Sequence, residues 1–290
     1  MPESERLPRS TGTADGTAYR LYGPDASAGS PGTAAMVLIH GVGMQQDVWA
    51  PQVAALAGER CVLTYDLLGH GASRLPREDA TLGDYAGQLL ALLDHLRLGL
   101  VDVVGHSMGA LVALEFALSH PQRTRRVVAM NAVFRRSAEQ RAAVRQRAQA
   151  LQRAGVDATI DSTIERWFGD PPPAPLAATA RQVRGFLADV DPIGYARTYR
   201  IFAESDEVHQ QRLRQLAMPA LFTTGEFDGN STPAMSAAMA ELAPQGRLDV
   251  VAGARHMMNL TDVPRVNGML REFLCADAGA GAGTRATVGG

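Results

Sequence analysis

This sequence has few cysteines, no long apolar run and almost no excess of either charge. Cys61 and Cys275 are the only cysteines among 290 residues, too few for a disulfide framework and without a metal-binding spacing. No apolar run approaches the ~20 residues that a membrane span needs. The net charge of −2 lacks the basic surplus that nucleic-acid-binding proteins carry.

The remaining composition is that of a globular protein with a large core. Apolar residues make up 46% of the chain and charged residues 20%. Residues 1–6 lack the basic-then-apolar order of a signal peptide. We therefore expect a soluble cytoplasmic protein that binds neither nucleic acid nor membrane; the composition says nothing about its oligomeric state.

Short branched apolar runs alternate with helical patterns along most of the chain. Helical patterns cover residues 81–97 and 107–119. Because continuous apolar strands alternate with helices, the sequence predicts an α/β fold with a mostly parallel sheet covered on both faces. The six candidate strands are 34–40, 61–66, 101–106, 125–131, 219–225 and 247–253.

The alternation stops after the fourth of these strands. The following stretch is rich in arginine and alanine, contains the breaker "GDPPPAP" at 169–175, and shows no strand pattern. We expect it to form a helical cap inserted into the α/β core. The predicted organisation is a flexible N-terminal segment (1–16), a core (17–133 and 216–276), a helical cap (134–215) and a flexible C-terminal tail (277–290).

A serine between two glycines, "GHSMG", follows the strand 101–106. A sharp strand-to-helix turn at Ser107 crowds its neighbours, so Gly105 and Gly109 must be small. The helix beginning at Met108 directs its N-terminal amides and positive dipole toward an oxyanion formed beside the serine. The pattern predicts Ser107 as a nucleophile.

A serine hydroxyl needs a base, and one histidine is placed to supply it. His256 lies between the last predicted strand and the last predicted helix, well after the serine in the chain. We therefore predict that His256 is the general base. The other histidines are His40, His70, His95, His106, His120 and His209.

A carboxylate must hold the histidine in the correct tautomer. Asp228, in "TTGEFDGNS", follows the strand 219–225 directly, with Glu226 as the alternative two residues earlier. The neighbouring strand 125–131 ends at Asn131, which carries no charge. Asp228 is therefore the predicted acid.

A second oxyanion donor is predicted in "HGVG", which follows the first parallel strand. Between its glycines the Val42 N–H can lie beside the Met108 N–H, although such a stretch can also be a plain tight turn. Taken together, Ser107, Asp228 and His256 each follow a strand, and an oxyanion loop precedes them. This combination predicts serine-hydrolase geometry.

The motifs quoted so far, with "LIHGVG", "YDLLGHGAS" and "GARHMMNLTDVPRVNGMLREFL", resemble the α/β-hydrolase superfamily over roughly residues 17–275. The resemblance implies a Ser–His–Asp enzyme with a helical cap. "HGVGMQQDVWAPQVAAL", "ERWFGD" and "DPIGYARTYRIFAESD" look most like the 3-oxoadipate enol-lactonase branch. The chain departs from the common pattern at Ala110, where glycine is frequent, and at Gly229, where proline is frequent.

The beginning of the predicted cap is strongly basic. Residues 134–153 hold six arginines and one acidic residue, Glu139. One or two of these arginines can clamp a substrate carboxylate, since the guanidinium fork matches it, although a solvated helix face has the same composition. The candidates for substrate binding are Arg135 and Arg136, with Trp49, Trp167 and Met257 as apolar lining.

The expected reaction is hydrolysis of a small carboxylic ester or enol-lactone, bearing a carboxylate, through an acyl-enzyme. Cleavage of a C–N bond in an unsaturated dicarboxylate, or of a C–C bond, uses the same three residues and stays open. A cofactor-free oxygenase, a haloperoxidase-type enzyme and a non-catalytic small-molecule receptor are the alternatives from other classes. No metal or organic cofactor is required.

Overall fold

An eight-stranded sheet forms the centre of the structure, a computed structural model that describes residues 7–25 and 34–275. In space the strands follow the order β1-β2-β4-β3-β5-β6-β7-β8. Strand β2 is antiparallel to both of its neighbours, β1 and β4, and the strands β3 to β8 are parallel to one another. The strands are β1 (Ser10–Ala14), β2 (Thr17–Tyr22), β3 (Ala35–Ile39), β4 (Val62–Tyr65), β5 (Val101–His106), β6 (Thr124–Met130), β7 (Ala220–Gly225) and β8 (Gly246–Val251).

Ten α-helices occur among the described residues, and none of them combines the length and apolar character that crossing a membrane requires. They are α1 (Ala50–Leu56), α2 (Leu82–His95), α3 (Met108–Ser119), α4 (Ala138–Ala154), α5 (Asp157–Phe168), α6 (Ala177–Ala188), α7 (Pro192–Glu204), α8 (Pro233–Leu242), α9 (Met258–Thr261) and α10 (Val263–Cys275).

The predicted mostly parallel sheet is confirmed. The central strands β3, β4, β5 and β7 are buried along their whole length, because helices cover both faces. Their continuous apolar runs follow from this environment. The parallel strands bring their carboxyl ends to one edge of the sheet, where polar loops can converge.

The predicted flexible segment 1–16 needs a correction, since β1 lies inside it. Asp15 and Gly16 have φ values of +44° and +72° and join β1 to β2 by a two-residue turn. An Asp-Gly turn with both φ values positive matches the right-handed twist of a hairpin. The strand escaped prediction because its sequence, "STGTA", is polar and mostly solvent-exposed. Residues 1–6 and the predicted tail 277–290 lie outside the described residues.

The four helices α4 to α7 lie between β6 and β7, within the span 134–215, and are called the cap below. The cap meets the core at closely packed backbone. A Cβ built on Gly194 of α7 would lie 2.2 Å from the carbonyl oxygen of Gly69, in the loop after β4. A Cβ on Gly43, in the loop after β3, would lie 2.7 Å from Leu187 and 2.8 Å from Tyr195. These contacts seat the cap over the carboxyl edge of the sheet.

Candidate active site

Ser107 lies on the sharp turn between β5 and α3. Its φ of +55° and ψ of −117° are a strained backbone conformation, held by a 2.8 Å hydrogen bond from its N–H to the Met130 carbonyl. The flanking glycines are required by close approach: a Cβ on Gly105 would lie 2.0 Å from the Gly109 oxygen, and one on Gly109 would lie 2.3 Å from the Ile39 oxygen. The predicted crowding at the turn is therefore present.

His256 and Asp228 form a buried pair, with the His256 Nδ1 2.8 Å from the Asp228 Oδ2. Because the carboxylate can only accept, Nδ1 carries the proton and Nε2 is left with a free lone pair. Burial raises the pKa of Asp228, but the charge of His256 and the hydrogen bonds donated to the carboxylate outweigh this effect, so the pKa lies below its ordinary value. The acid therefore stays ionised.

Three further donors hold the Asp228 carboxylate. The Asn131 side-chain amide donates to Oδ2 at 2.8 Å, and the backbone N–H groups of Asn230 and Ser231 donate to Oδ1 at 2.8 and 3.2 Å. Asn131 therefore contributes a donor where the sequence showed only that an acid was missing. The alternative acid, Glu226, is exposed and accepts the Gly253 N–H at 2.8 Å.

Two aromatic rings fix the position of the His256 side chain. The Trp167 indole of the cap stacks on the imidazole, with ring centroids 5.0 Å apart and planes 27° apart. His106 Nε2–H donates to the His256 carbonyl at 2.8 Å. Burial lowers the pKa of His106 to about 3, helped by the neighbouring charge of His256, so this ring is a neutral anchor.

The two predicted oxyanion donors are the backbone amides of Val42 and Met108. Gly41 lies against the serine, since a Cβ on this glycine would lie 3.1 Å from the Ser107 Cβ. Val42 follows it and lines the cavity described below, while Met108 N–H is the first amide of α3. Among the hydrogen bonds of residues 7–25 and 34–275, none is donated by either amide.

Ser107 and His256 open into a cavity of about 350 Å³ between the core and the cap. The apolar part of its wall comes mainly from the cap, with Val144, Trp167 and Phe202 as members. Four arginines but only one carboxylate side chain also line it: Arg136, Arg147, Arg166 and Arg255, with Glu139. In the part of the chain that is described, no cluster of His, Cys, Asp and Glu could hold a metal ion.

Arg147 and Arg166 are half-buried in the cavity wall, and neither forms an ion pair within the described residues. The Arg147 Nε donates to the Tyr199 hydroxyl at 3.2 Å, and Arg166 Nη2 donates to the Thr163 hydroxyl at 2.9 Å. Burial, and then the charge of Arg147, lowers the pKa of Arg166. The cavity therefore holds positive charge that protein carboxylates do not balance.

Arg136 also lines the cavity, but its guanidinium is engaged at the base of the cap. Its Nε lies 2.9 Å from Asp206 Oδ1, and Nη2 donates to the Phe202 carbonyl at 2.8 Å. The guanidinium also stacks over the Phe202 ring, 4.6 Å from its centroid. Burial lowers the pKa of Arg136. These contacts join the two ends of the cap.

The predictions for Arg135, Trp49 and Met257 are wrong, because none of them lines the cavity. Arg135 is exposed and lies over the Phe134 ring. Trp49 and Met257 are fully buried core residues, and the Trp49 ring stands edge-on to His106. Large apolar side chains serve core and pocket alike, so the sequence did not distinguish them.

Arg147 was missed, although the helical period contains a signal for it. Val144 and Leu151 are the two buried residues of α4, and Arg147 is three residues after the first of them. Residues three or four apart share a helix face, and Arg147 is the arginine of the basic stretch that lies both three residues after Val144 and four before Leu151.

The chain is similar to several known hydrolases. The chain is 36% identical over 239 residues to the (E)-2-((N-methylformamido)methylene)succinate hydrolase of Acinetobacter baylyi, covering 82% of this chain and 89% of that protein. It is 29% identical over 226 residues to 3-oxoadipate enol-lactonase 1 of the same organism, covering 78% and 83%.

The fold is shared with a solved enol-lactonase from Burkholderia xenovorans. That structure superimposes with a TM-score of 0.82 at 27% sequence identity, covering 92% of this chain and all of the other. The sequence model of the alpha/beta hydrolase fold matches residues 34–263, most of the chain. The protein therefore belongs to the α/β-hydrolase fold family.

Proposed function

We propose that the protein is a serine hydrolase in which Ser107 is the nucleophile, His256 the general base and Asp228 the carboxylate that orients the base. The observation that carries this proposal is the 2.8 Å pair between His256 and Asp228, together with a strained Ser107 that lines the same cavity as His256. A serine on such a turn with a histidine–carboxylate pair nearby is the arrangement that activates a hydroxyl.

The reaction proceeds through two tetrahedral intermediates. Ser107 Oγ attacks the substrate carbonyl while His256 Nε2 takes its proton, and the Val42 and Met108 amides bind the oxyanion. His256 then returns the proton to the leaving oxygen or nitrogen, and the acyl-enzyme remains. A water molecule attacks the acyl group with His256 again as base, and Ser107 regains its proton as the acid product leaves.

The substrate is proposed to carry two carboxylates, bound by Arg147 and Arg166. Both guanidiniums lie in the cavity wall without ion pairs among the described residues. Arginine binds carboxylate bidentately, and a dianion would relieve the repulsion between the two cations. The relative at 36% identity is by name a hydrolase of a substituted methylenesuccinate, which is a dicarboxylate.

Cleavage of an amide C–N bond in such a dicarboxylate is the first candidate reaction, since the relative of higher identity is by name a hydrolase of an N-methylformamido compound, which contains an amide. Hydrolysis of an enol-lactone is the second, supported by the enol-lactonases at 29% and 27% identity. The two differ in the leaving atom that His256 protonates. Both place a carbonyl at Ser107 and a carboxylate at the arginines.

Labelling with a fluorophosphonate tests the nucleophile. The wild-type chain should be modified at Ser107, as located by peptide mass spectrometry, while Ser107→Ala should stay unmodified with the same unfolding midpoint. Labelling at another residue, or equal labelling of the variant, would contradict the proposed nucleophile.

A substrate panel tests the chemistry. An N-acylaminomethylene succinate, its monomethyl ester and a carboxymethyl enol-lactone should be compared by kcat/KM. We expect the free dicarboxylate amide to be the best of the three. Turnover only with oxygen or with peroxide and halide would favour an oxygenase or a haloperoxidase, and tight binding after a single turnover would favour a receptor.

A further inference from the structure

Two buried histidines outside the proposed triad enclose the loop that carries the Val42 amide. His40 is the last residue before this loop, Gly41–Met44, and His70 comes from the loop after β4. Both are almost completely buried, at 0% and 1% exposure, and their rings stand edge to face with centroids 5.3 Å apart. The proposed mechanism moves no proton through either ring, so their burial requires another explanation.

The hydrogen bonds of His40 determine its tautomer. Its Nε2 accepts the Leu67 N–H at 2.9 Å, so the proton of the neutral ring must be on Nδ1. Nδ1–H then donates to the Gly41 carbonyl at 2.8 Å. Burial lowers the pKa of His40 to about 4, which agrees with a ring that stays neutral.

The Gly41 carbonyl and the Val42 N–H belong to the same peptide unit. A trans peptide is planar, and its C=O and N–H point in opposite directions. Gly41 O also accepts the Met44 N–H at 3.1 Å, so it is held by two donors. Fixing this oxygen therefore fixes the direction of the Val42 N–H.

His70 fixes the next peptide unit in a complementary way. Its Nε2 accepts the Gly43 N–H at 3.0 Å, while Nδ1–H donates to the Leu68 carbonyl at 3.2 Å. Burial, and then the charge of His40, lowers the pKa of His70 to about 3. The Gly43 amide is thereby occupied, and in this loop the Val42 amide stays available.

We propose that His40 and His70 are positioning residues that direct the Val42 N–H at the substrate oxyanion, His40 through the Gly41 carbonyl and His70 through the Gly43 amide. This inference rests on the proposed function, because it requires an oxyanion beside Ser107. Neither histidine touches the substrate. Their effect is on kcat, since an oxyanion donor binds the transition state more strongly than the ground state.

Four amide substitutions test the proposal against a purely structural role. Asn places its amide near the Nδ1 position of histidine, and Gln places its amide near Nε2. His40→Asn keeps a donor to Gly41, whereas His40→Gln keeps only an acceptor for Leu67; His70→Gln keeps the acceptor for Gly43, whereas His70→Asn does not. The proposal therefore expects Asn to be the better replacement at His40 and Gln at His70.

The measurement is kcat and KM with p-nitrophenyl acetate, a neutral ester that does not need the arginines. The poorer variant of each pair should lose about 10- to 100-fold in kcat at unchanged KM, less than deletion of an oxyanion donor costs. The better variant should recover most of that loss. The same residue preferred at both positions, or wild-type kcat in all four variants, would overturn the proposal.

The wild-type protein offers a second test that does not depend on any variant folding. Long-range ¹H–¹⁵N spectra of the imidazoles should show His40 and His70 neutral with the proton on Nδ1 at pH 7. A proton on Nε2 of either ring overturns the proposal. Absence of fluorophosphonate labelling at Ser107 would instead refute the proposed function, so the two failures are distinguishable.

Discussion

The core side and the cap side of the cavity differ in how their charged groups are paired. On the core side the Asp228 carboxylate has a full set of partners, since it accepts from His256, Asn131, Asn230 and Ser231. On the cap side Arg147 and Arg166 lie near each other without ion pairs in the described residues. The proposed acid on the core side is thus held without a ligand, while we expect a ligand of opposite charge to pair with the arginines on the cap side.

The residues proposed for catalysis and those proposed for substrate binding therefore lie on different sides of the cavity. Groups that must not move during catalysis are held by short hydrogen bonds from the sheet and its loops, which gives preorganisation. The arginines proposed to recognise the substrate stand on the cap helices α4 and α5, where their replacement should leave the proposed triad in place. Substitutions on the two sides should therefore change different kinetic constants.

Removal of the nucleophile should have the largest effect. Ser107→Ala should lower kcat by at least about 10⁴-fold, since a triad without its serine retains only oxyanion and binding effects. Binding of a dicarboxylate product, measured by calorimetry, should be unchanged because the arginines remain. Loss of product binding together with kcat would contradict the separation of the two sides.

Neutralising the Asp228 carboxylate should have the second-largest effect on kcat. Asp228→Asn removes the acceptor that holds the His256 Nδ1 proton, so kcat should fall by up to about 10⁴-fold through the wrong tautomer. Glu226→Gln is the matched control, because Glu226 is exposed and contacts the Gly253 amide instead. Equal losses in the two variants would remove Asp228 from the proposed triad.

Neutralising an arginine of the cap should act on binding. Arg147→Gln or Arg166→Gln should raise KM for a dicarboxylate by about 10- to 100-fold, the worth of a charged hydrogen bond, and should leave kcat with p-nitrophenyl acetate unchanged. Removing one of two repelling cations should not lower the unfolding midpoint.

Arg145→Gln is the control for these variants, because Arg145 is on the same helix but exposed and outside the cavity lining. It should keep the KM of the wild type. A KM for the dicarboxylate that rises equally in Arg145→Gln and Arg147→Gln would indicate general electrostatic attraction instead of two binding residues.

Lowering the pH should gradually lower the free energy of unfolding, because three buried histidines of the core stay neutral. Burial lowers the pKa of His40 to about 4 and the pKa values of His70 and His106 to about 3. The unfolded chain takes up these protons near pH 6.5 and the folded chain does not. The free energy of unfolding should thus be constant above that pH and fall below it, by up to about 1.4 kcal/mol per pH unit and histidine.

Urea unfolding at intervals between pH 7.5 and 5 measures this effect, because ordinary carboxylates remain ionised in that window. His70→Gln should reduce the slope by about one proton. A free energy that is independent of pH over the window would show that the three rings are not held neutral.

The strands and the proposed triad could be predicted because both follow from local patterns. β3, β5 and β7 read as continuous apolar runs since both of their faces are covered, and Ser107, Asp228 and His256 follow strands directly. The β1–β2 hairpin was not predicted, because β1 is polar and shows no apolar pattern, although an Asp-Gly turn follows it. That turn was the stronger signal.

The residues that line the pocket could not all be predicted, because they are determined by tertiary contacts that the sequence does not show. Arg135 and Arg147 belong to the same basic stretch, but Arg135 precedes α4, whereas Arg147 lies on this helix and lines the cavity. The proposed roles of His40 and His70 depend on hydrogen bonds between residues 27 positions apart in the chain. Such pairings are set by the packing of the sheet and have no periodic signal in the chain.

The contact between Gly194 and Gly69 has a consequence for exchanging caps between members of this family. A donor cap with any larger residue at the position of Gly194 would meet the Gly69 backbone, which is part of the loop that also holds His70. The grafted cap would therefore displace the loop that holds Gly69 and His70, even when the lining of its own pocket is intact. Chimeras should keep a glycine at this contact and vary specificity farther along the cap, at α4 and α5.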